Sequence, residues 1–166
     1  SLGFENLENN YSYSYRENDI YYGASLVKAI DALYVYENMT PDLNLKNLVR
    51  GAITYSNNNS HIALVDRIGY STLKQYGENL GMEHILNGSQ YFSDTYYFND
   101  TDVEDQMIIL KKLWSLVNDL DNGEELKNYF INNFWDNLRF KNSPTHLYKN
   151  GLYGKYYHEI GIMLAD

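Results

Sequence analysis

The sequence has no cysteine, only 2 prolines and few basic residues. Without cysteine, the chain has no disulfides, no thiolate metal sites and no cysteine nucleophile. The 13 Lys and Arg residues face 22 Asp and Glu residues, and the net charge of -9 at pH 7 argues against non-specific binding to nucleic acid. A local group of lysines still leaves room for an anionic small ligand. No apolar run approaches the roughly 18 residues that a membrane span needs, so we expect none in this chain.

A chain of 166 residues is long enough to bury the core of one domain. Hydrophobic residues make up 44% of the sequence, but this fraction includes 18 tyrosines, each of which carries a hydroxyl. No internal repeat, low-complexity linker or break in composition divides the chain. We therefore expect a single domain over residues 1–166.

The sequence pattern predicts strands at both ends of the chain and helices between them. Tyr11, Tyr13 and Tyr15 alternate with small polar residues, which predicts a hairpin, and Thr101–Glu104 matches a capping box that starts a helix. Over residues 24–37, apolar side chains cover nearly the whole circumference, as in a buried helix. The other predicted helices are 40–55, 60–68, 72–80, 101–120 and 124–134, and the predicted C-terminal strands are 145–151 and 156–164. This order predicts an α+β fold, with one antiparallel sheet built from both chain ends and packed against the helices.

Ser25 and Lys28 lie three residues apart at the start of the predicted buried helix. Positions three apart share one face of a helix, so we expect the Lys28 amine to reach the Ser25 hydroxyl. Burial lowers the pKa of a lysine, and a neutral lysine is able to act as the base that activates a serine nucleophile. The alternative is a capping serine followed by a solvated lysine, and the same spacing recurs at Ser71 and Lys74.

Two more short motifs follow along the chain. Ser56 and Asn58 form an S-x-N motif between two predicted helices, where the hydroxyl is able to relay a proton and the amide to hold a substrate carbonyl. Lys149, Asn150 and Gly151 end a predicted strand with positive charge, a hydrogen-bonding amide and room for close backbone approach. Taken alone, each motif is more typical of an ordinary turn.

The order of the three motifs separates Ser25 from Ser71. S-x-N and K-x-G each occur once in the chain, and both follow Ser25. The ordered set resembles the signature of the class A β-lactamases and the related D-alanyl-D-alanine peptidases, which are penicillin-binding serine enzymes. The flanking sequence is similar as well, over residues 22–28, 53–69 and 149–162. The resemblance spans nearly the whole chain and implies the α+β fold of that superfamily.

The resemblance implies an acyl-transfer mechanism centred on Ser25. Ser25 would be acylated by a β-lactam or a peptidoglycan stem peptide ending in D-Ala-D-Ala, with Lys28 as the base or part of its relay. Ser56 would pass the proton to the leaving nitrogen, and the backbone N–H groups of Ser25 and Leu152 would form the oxyanion hole. The resemblance implies no cofactor and no metal, and no pair of histidines has metal-ligand spacing.

The resemblance also implies how a substrate is held and where the protein works. Asn58 would bind the substrate amide, and Lys149 and Asn150 would bind its carboxylate beside Gly151. Because this superfamily acts on cell-wall material, the resemblance implies an extracytoplasmic location, secreted or at the cell surface.

The sequence departs from the family pattern at several points. Asn57 stands where Asp is usual, Asn150 stands where Thr or Ser is usual, and the predicted strand 156–164 lacks an Arg that often assists carboxylate binding. Glu83 and Asn87 match the E-x-x-x-N string of the deacylating glutamate, but earlier in the chain than in the family, so Glu83 is alternatively a turn residue. The family also has a further C-terminal strand and helix and an N-terminal helix, so we expect a domain incomplete at both ends, with another copy or further segment filling the gap. The alternative function is therefore a catalytically impaired binding or structural domain on the same fold.

Overall fold

The computed structural model describes residues 1–84, 100–132 and 146–164. These ranges hold six helices: α1 (Lys28–Asn38), α2 (Leu43–Thr54), α3 (Asn58–Ile68), α4 (Tyr70–Leu80), α5 (Val103–Asp119) and α6 (Gly123–Ile131). They also hold six strands: β1 (Leu2–Glu5), β2 (Ser12–Tyr15), β3 (Tyr21–Tyr22), β4 (Asp100–Thr101), β5 (His146–Tyr153) and β6 (Tyr156–Met163). The predicted α+β class is confirmed.

Helix α1 lies at the centre of the core, as its uniformly apolar sequence predicts. Its fully buried apolar residues are Ala29, Ile30, Ala32, Leu33 and Val35. The helices α2, α3, α4 and α5 all contact it, so most of its circumference is covered. In the described ranges, no helix combines the length and the apolarity that crossing a bilayer requires.

The segment before α1 is a 3-10 turn over Ala24–Val27, where the sequence predicts that the α-helix has already begun. Ala24 has φ 48°, outside the right-handed helical region, so α-helical hydrogen bonding starts only at Lys28. Side chains three apart eclipse each other in a 3-10 turn. Ser25 and Lys28 therefore still share one face, although the segment is a 3-10 turn and not an α-helix.

Asparagine and aspartate side chains cap three of the helices. Asp42 accepts a hydrogen bond from the Leu45 N–H and starts α2 later than predicted, and Asn57 caps α3. At α5 the predicted capping box is wrong, because Asp102 and not Thr101 is the N-cap. Thr101 is instead used in β4, where it pairs with Tyr21.

The described strands form three separate two-stranded antiparallel sheets, β1–β2, β3–β4 and β5–β6, instead of the single predicted sheet. The predicted N-terminal hairpin is confirmed as β1–β2. It packs on α5, where Gly3 lies against Val103 and Lys111 pairs with Glu5 at 2.8 Å. The β5–β6 hairpin also contacts α5, and in addition it packs on the 3-10 turn and α6. No described strand hydrogen-bonds to both hairpins.

Candidate active site

The Lys28 amine is the centre of a hydrogen-bonded group drawn from three parts of the fold. Lys28 is only 1% exposed, because it is the first residue of the buried helix α1. Its Nζ lies 2.8 Å from Ser25 Oγ in the 3-10 turn, 2.7 Å from the Ser56 carbonyl oxygen and 2.6 Å from Asn58 Oδ1. The structure thus brings together the predicted nucleophile, its predicted base and the S-x-N motif.

The surroundings of Lys28 make its amine lose a proton more easily than an ordinary lysine does. Burial lowers the pKa of Lys28 to about 8, although the Asp31 carboxylate acts in the opposite direction. A neutral amine has two hydrogens and one lone pair. The Ser56 carbonyl and the Asn58 amide oxygen are acceptors only, so they take the two hydrogens. The lone pair is then left for the Ser25 hydroxyl, which is the arrangement a general base needs.

The Ser56 hydroxyl lies between two lysines. Lys149 Nζ donates to Ser56 Oγ at 3.0 Å, and Lys28 Nζ lies 3.5 Å from the same oxygen. Ser56 has φ 52°, a left-handed conformation that non-glycine residues rarely adopt and that is enriched at functional sites. This geometry is what a proton relay between Lys28 and a substrate nitrogen requires.

Lys149 is fully buried in the middle of strand β5, which packs on the 3-10 turn and continues to Tyr153, beyond the end that the sequence predicts at Gly151. Besides Ser56, its Nζ binds the carbonyl oxygen of Asn150 at 2.8 Å. Burial first and the Lys28 charge second hold the pKa of Lys149 well below its ordinary value. The neighbouring Asn150 is only 6% exposed. The predicted role of both residues in binding a carboxylate stays a prediction.

Gly151 brings the backbone of β5 against the turn that carries Ser25. A methyl group at Gly151 would overlap the Gly23 carbonyl oxygen and would lie 3.3 Å from the Ser25 nitrogen. Only glycine allows this approach without a shift of the backbone. Leu152, which is 59% exposed, follows directly. The two backbone N–H groups predicted to form the oxyanion hole therefore belong to adjoining segments.

Glu83 is held through its backbone at the end of α4. Its N–H donates to Asp105 Oδ1 at 2.8 Å, and the His84 N–H donates to Asp105 Oδ2 at 3.1 Å. The Glu83 side chain is exposed, and the hydrogen bonds of Ser25 and Lys28 given above do not include it. Asn87, the other end of the E-x-x-x-N string, lies outside the described residues. The role of Glu83 as deacylating base stays a prediction.

The second S-x-x-K motif, Ser71 to Lys74, lies on the surface of a helix. Ser71 is exposed on α4, and the Lys74 side chain is 36% exposed with Glu78 at 3.9 Å. The structure thus separates the two copies as the motif order predicts.

The sequence analysis did not single out Asp31 and His61, which form a buried pair next to Lys28. The His61 ring nitrogen Nδ1 contacts Asp31 Oδ2, and both side chains are almost completely shielded from solvent. A signal was present in the sequence. Asp31 is an acidic residue inside a largely apolar helix, three positions after Lys28.

Several solved β-lactamase structures are similar to this chain. A halotolerant bacterial β-lactamase matches with a TM-score of 0.78 at 19% identity, over 95% of this chain and 75% of the other. A β-lactamase from Chitinophaga pinensis gives 0.78 at 14% identity, over 97% and 78%. An ancestral class A β-lactamase gives 0.76 at 14% identity, over 98% and 78%. At these identities the likeness shows the fold, which is that of the class A β-lactamases.

The sequence itself matches the family model of the β-lactamase enzyme family, Beta-lactamase2, over residues 39–166. This range includes Ser56 and Lys149 and begins after Lys28. The comparison with curated proteins gives no match. Because the family model covers most of the chain, the chain belongs to the β-lactamase enzyme family.

Proposed function

We propose that the chain is a serine hydrolase that forms an acyl-enzyme at Ser25 with β-lactams or D-Ala-D-Ala-type peptides. The observation that carries the proposal is the distance of 2.8 Å between Lys28 Nζ and Ser25 Oγ. Lys28 has a pKa of about 8, close to the operating range of a general base. Without a neighbouring base such as Lys28, a serine hydroxyl is a weak nucleophile.

In the proposed mechanism, neutral Lys28 accepts the Ser25 proton while Oγ bonds to the substrate carbonyl carbon. The carbonyl oxygen becomes an anion, and the N–H groups of Ser25 and Leu152 stabilise it. The C–N bond then breaks as the proton passes from the Lys28 ammonium through the Ser56 hydroxyl to the leaving nitrogen. The contacts of Ser56 with both lysine amines support this relay.

The substrate proposed for this site carries a carboxylate beside the scissile amide. Lys149 and Asn150 would hold the carboxylate, and Asn58 would hold the amide. Lys149 contributes through its positive charge, and substrate binding would raise its pKa by supplying a counter-ion. Substrates of this class come from cell-wall peptides and antibiotics, so we propose an extracytoplasmic location.

The fate of the acyl group depends on a group that positions water. The exposed side chain of Glu83 and its backbone attachment to Asp105 favour a structural role for this residue. We therefore propose that the acyl-enzyme persists, as in penicillin-binding peptidases. The second candidate is a binding or structural domain that does not react, and Asn150 in place of a hydroxyl residue favours it.

Intact-protein mass spectrometry after incubation with benzylpenicillin tests the proposal. A β-lactam opens on acylation and keeps its leaving nitrogen, so the expected adduct has the full mass of the antibiotic. Ser25→Ala should abolish the adduct, whereas the matched control Ser71→Ala should retain it. Turnover of a chromogenic cephalosporin is measured in parallel, and a stoichiometric burst without steady hydrolysis is expected. The absence of both adduct and hydrolysis in the unmodified chain would contradict the proposal and support the second candidate.

A further inference from the structure

Asp31 and His61 form a buried pair one helical turn away from the Lys28 amine. Asp31 is 0% exposed and His61 is 1% exposed. Asp31 Oδ2 contacts His61 Nδ1, while Asp31 Oδ1 is buried and has no hydrogen-bond partner among the described residues. A buried carboxylate is costly unless nearby charge compensates for it. The proposed acylation mechanism does not use either residue.

The pair is the second of two cross-links between α1 and α3. The first cross-link is the 2.6 Å contact of Lys28 Nζ with Asn58 Oδ1. Asp31 follows Lys28 by three residues, and His61 follows Asn58 by three residues. Residues three apart share a helix face. The two cross-links therefore lie one above the other, and together they fix the register of the two helices.

Few charged groups act on Lys28. On its own helix, Asp31 favours the charged amine, and from β5 the buried Lys149 repels it. The loop and helix on the other side contribute the uncharged Ser56 and Asn58. Asp31 is therefore the anion that favours the charged form of the Lys28 amine. Burial raises the pKa of Asp31, and contact with His61 counteracts that rise.

We propose that Asp31 and His61 are a positioning pair, which holds Asn58 at the Lys28 amine and supplies the negative charge that sets when Lys28 loses its proton. The proposal rests on the proposed function, because its consequence is the pH at which Ser25 is acylated. Contact with His61 opposes the rise that burial causes in the pKa of Asp31 and so favours the ionised carboxylate, and neither side chain touches the substrate. Asp105 on α5 is also a buried carboxylate, and the contacts of Lys28 given above do not include it, so it provides a control.

The test compares Asp31→Asn with the matched control Asp105→Asn, which also removes a buried carboxylate. The acylation rate is followed by mass spectrometry between pH 6 and 10, and the Lys28 side-chain carbon signals are followed by NMR. In Asp31→Asn, both midpoints should move to lower pH by roughly half a unit or more, because the charged amine has lost its anion. The maximal rate should also fall by about tenfold, since Asn58 is held less firmly. Asp105→Asn should leave both midpoints in place.

Unchanged midpoints in a folded Asp31→Asn protein would overturn the proposal. If Asp31→Asn does not fold, ¹⁵N NMR of labelled histidine in the unmodified chain provides a second measurement. A proton on His61 Nδ1 at pH 8 is expected, because an ionised Asp31 only accepts. An unprotonated Nδ1 would contradict the ionised pair. If benzylpenicillin gives no adduct at all, the proposed function fails, but the NMR titration of Lys28 still decides the role of Asp31.

Discussion

Lys28 and Lys149 direct their amines at the same hydroxyl, that of Ser56, from 3.5 and 3.0 Å. Both lysines are buried, and burial lowers the pKa of each. Two ammonium groups around one oxygen would repel each other strongly in a poorly solvated site. We therefore expect at least one of the two amines to be neutral, and acylation needs the amine of Lys28 itself in its neutral form.

The first prediction concerns the pH dependence of acylation. Because the reactive form of Lys28 is neutral and its pKa is about 8, the acylation rate should rise with pH and reach half of its maximum near pH 8. Below that point the rate should fall by about tenfold per pH unit. Rates of adduct formation between pH 6 and 9.5 measure this. A rate that is flat over this range would show that Lys28 is not the base.

A second prediction concerns stability and the same two lysines. An unfolded lysine has a pKa near 10.5, so between about pH 8 and 10 the unfolded chain binds more protons than the folded chain. The free energy of unfolding should then increase with pH, by up to about 1 kcal/mol per pH unit for each buried lysine. Above about pH 10 the trend should reverse, because burial raises the pKa of Tyr21 to about 12 and the unfolded tyrosine ionises first.

Urea unfolding at pH 7.5, 8.5 and 9.5 checks this prediction. Lys28→Met should flatten the rise, because one of the two buried amines is removed. The matched control Lys74→Met removes an exposed lysine and should leave the slope unchanged. A stability that decreases between pH 8 and 10 in the unmodified chain would be inconsistent with neutral buried lysines.

The sequence was sufficient to predict the parts of the site that depend on local order. Spacing of three residues places Lys28 beside Ser25 in either kind of helical turn. The apolar circumference of α1 predicts the burial that lowers the pKa of Lys28. Both predictions hold because they depend on residues close together in the chain.

Long-range contacts and backbone strain account for what was not predicted. The left-handed conformations of Ala24 and Ser56 have no glycine to mark them. The cap of α5 moved from Thr101 to Asp102 because Thr101 pairs with Tyr21, which is 80 positions away. Likewise, the Asp31 contact with His61 exists only after two helices have packed, so no local pattern defines it.

A third prediction concerns Asn57, which stands where the family usually has Asp. Its side chain accepts a hydrogen bond from the Ser60 N–H at 2.9 Å and caps α3. Asp and Asn cap helices equally well, so Asn57→Asp should change the free energy of unfolding by less than about 0.5 kcal/mol and leave acylation unchanged. Asn57→Ala should cost about 1 kcal/mol and slow acylation, because the adjoining Ser56 and Asn58 lose a fixed backbone. Equal stability of the two variants would show that the cap is not important.

The last prediction concerns the close approach of Gly151 to the Ser25 turn. A methyl group there meets the Gly23 carbonyl, which is backbone and cannot rotate away. Gly151→Ala should cost about 1–3 kcal/mol and reduce acylation by about a hundredfold or more, because the N–H groups of Ser25 and Leu152 move apart. The control is Gly154→Ala, where φ is 56° and no atom lies within 4 Å. Its cost should be about 1–2 kcal/mol from the left-handed backbone, with acylation nearly unchanged. Chemical unfolding and adduct formation separate the two effects, and a similar loss of acylation in both variants would mean that Gly151 serves the fold and not the oxyanion hole.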